Sequence, residues 1–236
     1  MTDPDRRTAL ASFAGAAIAG SALALASCSK DHEGEGETSA NEDLTREHGI
    51  LRRILVIYRE TSPRLIANAA TIDAVALASA AKLFQAFGER YHEQLLEEQH
   101  IFPIVQKAGG EAATLVDTLL AQHARGREIT AYILDTTRTG RVGTAEAEPL
   151  AKALAAFSRM YEPHTAREDT IVFPAFKKAV GPKGYDALGD IFEDIERREF
   201  GGDGFGLAVG KVAELERRLG IADLAVFTAP ATMNRL

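Results

Sequence analysis

The chain has 236 residues, of which 26% are charged, and a formal net charge of −7. That acidity argues against a nucleic-acid surface, which needs a basic stripe, so no nucleic-acid partner is expected. The single cysteine excludes an intrachain disulfide and a thiolate metal site.

Residues 1–27 read as a signal segment. Arg6-Arg7 form a charged start, and a small, apolar run from Ala9 to Ala26 follows. It is too short, and too rich in Ala and Gly, to prefer a stable membrane span over a signal core. The twin arginine fits the export route for prefolded proteins. Leu25-Ala26-Ser27-Cys28 resembles a bacterial lipobox, which makes Cys28 the lipidated first residue of the mature chain. The alternative is an uncleaved anchor helix with a buried cysteine. The preferred reading places the protein in the cell envelope, on the periplasmic side and lipid-anchored, since several acyl groups anchor stably where one does not. Residues 28–43, rich in Glu, Gly, Ser and Asn, read as a flexible acidic linker; His32 lies there and is given no role.

The remaining chain, about 200 residues, suffices for one domain with a substantial core. Its apolar residues recur at helical spacing, which predicts an all-α fold. The first helix is expected over about residues 44–59, with Leu44, His48, Leu51 and Leu55 facing inward, and a break at Ser62-Pro63. A second runs from near Asp73 to about Lys107, where Ala108-Gly109-Gly110 stops it. A third covers about residues 111–137, with Leu119, His123, Arg127, Thr130 and Leu134 on one stripe. The fourth covers about residues 145–180, with Leu150, Leu154, Phe157, Tyr161, His164, Glu168 and Ile171 inward. Short connections between long helices predict an antiparallel four-helix bundle over residues 44–180. Residues 181–236 add C-terminal helices around the turn Gly201-Gly202-Asp203-Gly204, expected to pack on the bundle.

Histidine occurs six times in the chain, yet each bundle helix carries one on its apolar stripe: His48, His92, His123 and His164. A single such histidine is usually a satisfied core residue. Four, one per helix, resist that account, because each must be desolvated and given partners for both ring nitrogens. A shared metal takes one nitrogen and leaves the other for an outer acceptor. Glu97 and Glu168 strengthen the reading, since a buried carboxylate is costly unless paired or metal-bound. Each lies six residues before the proline of a Phe-Pro pair, Phe102-Pro103 or Phe173-Pro174, so the two helices read as copies of one unit. His164 and Glu168, four apart, share a helix face. His92 and Glu97 are five apart and would diverge by about 140° on an ideal α-helix. A π-bulge between them would realign the pair; otherwise Glu93 or Glu98 is the carboxylate. The bulge is preferred because it moves the apolar register from Phe84, Phe87 and Tyr91 to Ile101 and Ile104. His100, near the helix end, is read as a surface or outer position.

The ordered set Leu44-Thr45-Arg46-Glu47-His48, Tyr91-His92 to Phe102-Pro103, Gln122-His123 and His164 to Phe173-Pro174 resembles the bacterial hemerythrin-like (HHE cation-binding) family. The resemblance implies a four-helix bundle around a non-haem di-iron site, with oxo or hydroxo bridging. It also implies roles in binding oxygen, nitric oxide or iron, or in redox sensing and repair. Carried over residue by residue, the ligands are His48, His92, Glu97, His123, His164 and Glu168. Oxygen-carrying hemerythrins have a second histidine four residues after the one on the third helix, where this chain has Arg127. A guanidinium does not ligate a metal, so both ions keep an open position suited to small-ligand binding or redox chemistry. Arg127 either pairs with a ligand carboxylate, attracts an anion or snorkels to the bundle end.

The expected function is therefore a di-iron protein that binds or senses O2 or NO, or handles iron. The rival is a di-iron oxidoreductase acting on peroxide or nitric oxide, and a metal-free or zinc-holding scaffold ranks third. Manganese or zinc would also suit these donors. No catalytic side chain is assigned, since GxSxG, Walker and Rossmann patterns are absent.

Overall fold

The computed structural model describes residues 39–230, so the signal segment, Cys28 and His32 lie outside the described residues. Helix α1 spans Ala40–Asn68. It begins four residues before the expected start at Leu44, so residues 40–43 are helix rather than linker. Glu42 and Asp43 complement the positive end of the helix dipole, and the Asn41 N–H donates to the Tyr185 hydroxyl at 2.5 Å. The break expected at Ser62-Pro63 does not occur. Proline inside a helix costs about 3 kcal/mol, but Thr61 and Leu65 are buried and hold the last turns in place. Ser62 does not cap a new helix; its hydroxyl donates to the Ala151 carbonyl at 2.9 Å.

Helix α2 (residues 74–108) starts where Asp73 accepts a hydrogen bond from the Ala76 N–H at 2.9 Å. It comprises Ala74–Leu83, a π-helical stretch Phe84–Ile101 and a last α-helical part, Phe102–Ala108. Gly109, at φ 76°, ends it. Helix α3 is Gly110–Thr137. Helix α4 (residues 144–180) opens with Thr144–Arg167, passes through a π-helical turn at Glu168–Val172 and resumes at Phe173. A non-helical Gly181, φ 68°, separates it from α5 (residues 182–200). Helix α6 is Gly204–Arg218, capped by Asp203. Among the described residues no strand is formed, and no helix is long and apolar enough to cross a membrane.

Helices α1 to α4 form an antiparallel ring in which α1 neighbours α2 and α4, and α3 closes against both. The core between them is aromatic: the Phe157 ring meets Phe84 edge-on at 4.8 Å and stacks on Tyr161 at 4.6 Å. Such pairs contribute about 0.5–1.5 kcal/mol beyond their burial. Helices α5 and α6 pack on the α1–α2 side. Arg53 of α1 holds Glu216 of α6 at 2.8 Å, and Phe200 of α5 meets the Tyr91 ring at 5.2 Å. The short helical turn Leu224–Phe227 leaves Leu224 and Val226 exposed.

Both π segments end at a Phe-Pro pair, for a common reason. A proline nitrogen carries no hydrogen and its ring crowds the carbonyl four residues back. The preceding residue reaches one residue further instead: Phe102 N–H bonds to Glu97 O, and Phe173 N–H to Glu168 O. Ligand spacing predicts a bulge only in α2. The second one shifts the register after Glu168, so Val172 is buried and Ile171 only half-buried. In α2, Ile101 is buried as expected, but Phe102 and Val105 take the following core positions and Ile104 stays half-buried.

Candidate metal centre

His48, His92, His123 and His164 enter the middle of the bundle from α1, α2, α3 and α4 and are almost fully buried. They meet in pairs. His48 Nε2 lies 2.9 Å from His92 Nε2, and His123 Nε2 lies 3.2 Å from His164 Nε2. Glu97 and Glu168 sit between the pairs, and each faces both. Glu97 Oε1 is 3.4 Å from His92 and Oε2 is 3.4 Å from His123. Glu168 Oε2 is 3.5 Å from His48 and Oε1 is 3.1 Å from His164. Five residues complete roughly one turn where bonds run i to i+5, which turns His92 and Glu97 to the same side. Glu93 and Glu98, the other candidates on α2, do not enter this space.

Each imidazole is held from outside through Nδ1. His48 bonds to Asp169 at 2.8 Å, His92 to Glu47 at 2.6 Å, His123 to Glu98 at 2.9 Å and His164 to Gln122 at 2.8 Å. These acceptors place the ring hydrogen on Nδ1 and aim the Nε2 lone pair inward, the state a metal ligand requires. Arg52 pairs with Asp169, and Arg127 with Glu98. Arg127 also reaches Glu93 at 3.2 Å, and Tyr161 donates to the other Glu93 oxygen at 2.6 Å. Arg127 thus serves an outer carboxylate and not a carboxylate of the inner set. The Phe102 ring stacks on His123 at 5.6 Å and Phe173 on His48 at 5.3 Å, so both Phe-Pro phenylalanines wall the cluster.

The arrangement fits metal ions. Both oxygens of Glu97 and of Glu168 are buried without a hydrogen-bond partner, a state costing several kcal/mol per carboxylate unless a cation compensates. Two nitrogens at right angles on one ion, each about 2.1 Å from it, are ~3.0 Å apart, the spacing of both histidine pairs. Without a cation the cluster holds protons. Burial and the neighbouring Glu168 push Glu97 up. Burial also opposes a charge on Glu168, but His164, His48 and His123 outweigh it and hold that carboxyl down. Burial disfavours protonated His123, yet Glu93, Glu98 and Glu97 hold it up at about 9. Metal would displace such protons.

His100 lies outside the cluster, beside Phe192 at 5.7 Å. A groove of about 400 Å3 between α2 and α6, lined by Leu83, Phe87, Phe200 and Leu207, shares no residue with it. Helical spacing alone gives Glu47, Asp169, Gln122 and Arg52 no role. Their signal was adjacency: Glu47 and Gln122 precede His48 and His123, while Glu98 and Asp169 follow Glu97 and Glu168. Arg52 and Arg127 stand four residues past His48 and His123. The α1–α2 and α3–α4 halves therefore repeat one arrangement of outer partners around their histidines.

The hemerythrin HHE cation-binding domain matches residues 39–176, and again residues 114–198, a stretch that begins within α3. Uncharacterized proteins from Mycobacterium bovis and from two strains of Mycobacterium tuberculosis are 44% identical over 197 residues, covering 83% of this chain and 76% of theirs. No solved structure gives a significant match.

Proposed function

The chain belongs to the hemerythrin HHE cation-binding family, and on that premise we propose that its bundle holds two irons and binds or senses O2 or NO, or handles iron itself. The proposed ligands are His48, His92, Glu97, His123, His164 and Glu168. One observation carries this reading: two buried carboxylates, unpartnered at all four oxygens, each face both histidine pairs. Bound iron would supply a redox centre with room for a small ligand.

The chain's own groups supply the rest. Glu47, Asp169, Glu98 and Gln122 orient the imidazoles, while Phe102 and Phe173 keep water from two of the rings. Arg52 and Arg127 balance the outer carboxylates. We further propose that the domain is exported and tethered to the membrane through Cys28. That rests on Arg6-Arg7 and the Leu25–Cys28 motif alone. Loss of the chain from membrane fractions on Cys28→Ala is the check.

The main test is metal analysis of the purified chain, with ultraviolet–visible spectra before and after reduction and exposure to air or nitric oxide. About two irons per chain, with an absorption that changes reversibly with the gas, is expected. Rapid turnover of peroxide or nitric oxide with a reductant would instead favour the oxidoreductase. Zinc alone, or less than one metal per chain after iron supplementation, would overturn the di-iron reading.

A further inference from the structure

The two halves of the cluster are matched in detail. His48 is backed by Asp169 and Arg52, as His123 is by Glu98 and Arg127. Arg52 also touches Thr165, the residue after His164, at 3.3 Å, and Arg127 touches Glu93, the residue after His92, at 3.2 Å. Phe173 and Phe102 lie on corresponding rings. The symmetry fails at one ring contact. His92 Nδ1 donates to the carboxylate of Glu47, whereas His164 Nδ1 donates to the neutral amide of Gln122.

We infer that Glu47 and Gln122 make the two metal positions unequal, so that the His48–His92 position takes metal first and holds it more tightly. The inference rests on the two-metal reading above. A carboxylate on Nδ1–H draws the ring toward imidazolate and makes Nε2 a stronger donor; an amide polarises it less. Partners of this kind are worth about 10–100-fold in metal affinity.

Net charge does not cancel the difference. Among the charged side chains paired with these rings or with each other, the His48–His92 half has Glu47, Asp169 and Arg52 and the other half has Glu93, Glu98 and Arg127, the same formal sum. What differs is where the second carboxylate points. Glu47 is 2.6 Å from a ring nitrogen, with Tyr91 steadying its other oxygen at 2.9 Å. Glu93 is taken up by Tyr161 and Arg127 and comes no closer than 4.0 Å to His123 Nδ1.

The test is an equilibrium Co2+ titration of the full chain against a competing chelator, read by cobalt absorption, with Glu47→Gln and Gln122→Glu as exchanged variants. The wild-type chain is expected to fill in two steps, separated by about tenfold beyond the statistical spacing of equal sites. Gln122→Glu should tighten the weaker step and close the gap from below. Glu47→Gln should loosen the tighter step and close it from above. Two equal steps in the wild type, or a weaker step unmoved by Gln122→Glu, would overturn the inference and leave the two-metal reading standing. Fewer than two cobalt ions per folded chain would overturn both. Because Gln122 is half-buried, its variant reports even if Glu47→Gln unfolds the bundle.

Discussion

Tyr161 donates its hydroxyl hydrogen to Glu93 at 2.6 Å, beside a part of α3 that Gly126 leaves bare. A Cβ on Gly126 would stand 2.3 Å from the Tyr161 hydroxyl oxygen, and Tyr161 is buried against Phe84 and Phe157 with no room to retreat. Gly126→Ala is therefore expected to destabilise the fold by about 1–3 kcal/mol. Gly49→Ala, in open space on α1, should stabilise it by about 0.5–1 kcal/mol. Thermal denaturation of the two variants checks both signs, and equal melting temperatures would contradict the placement of Tyr161.

Glu89 makes the fold sensitive to pH. Burial, with Glu93 adding to it against the opposing contact of Thr130, raises its carboxyl to about 7. Between its ordinary value and about 7 the folded chain keeps this proton while the unfolded chain releases it, so stability falls as pH rises through that window. Glu89→Gln mimics the protonated form. It should match the wild type near pH 4.5 and exceed it by about 1–3 kcal/mol at pH 8. Denaturant melts at the two pH values decide this; an equal effect at both would show that Glu89 is not protonated in the fold.

The two histidines nearest in sequence on either side of the α2–α3 turn should behave in opposite ways. His123→Ala removes an inner donor and one of the two imidazoles that Glu97 faces, so metal content should fall and melting should lose its dependence on added chelator. His100→Ala, beside Phe192 and outside the cluster, should leave metal content unchanged. Inductively coupled plasma analysis of both proteins reads the difference.

Tyr91→Phe keeps the ring that packs on Phe200 and Phe87 but deletes the donor to Glu47. The loss of one buried hydrogen bond to a charged group predicts a cost of about 1.5–3 kcal/mol, with faster metal release to chelator because Glu47 then holds His92 less firmly. Unchanged release rates would separate the Tyr91 hydroxyl from the centre.

Several features were legible because they are local. The period of Leu44, His48, Leu51 and Leu55 follows from helix geometry, as does the pairing of His164 with Glu168 at one turn. The stop at Gly109 reflects a left-handed backbone that glycine adopts without strain. Pro63 is the opposite case: a local breaker is overridden by the burial of Thr61 and Leu65 and by the bond from Ser62 to the Ala151 carbonyl, 89 residues along the chain. The bulge in α4 is not legible, because His164 and Glu168 are already in register and their spacing carries no trace of it.

What the sequence by itself determined is the supply of donors: one histidine on the apolar stripe of each bundle helix, two glutamates at fixed distance from two prolines, and an apolar stripe to bury them, all written in periods of a few residues. What only the tertiary structure decided is which donor faces which. Glu93, Glu97 and Glu98 are chemically alike, and Glu97 alone enters the cluster because the i to i+5 turn rotates it inward while Tyr161 and Arg127 claim Glu93, and His123 and Arg127 claim Glu98. Those competing bonds join different helices, so their outcome depends on how the bundle packs and cannot be read from the spacing within any one of them.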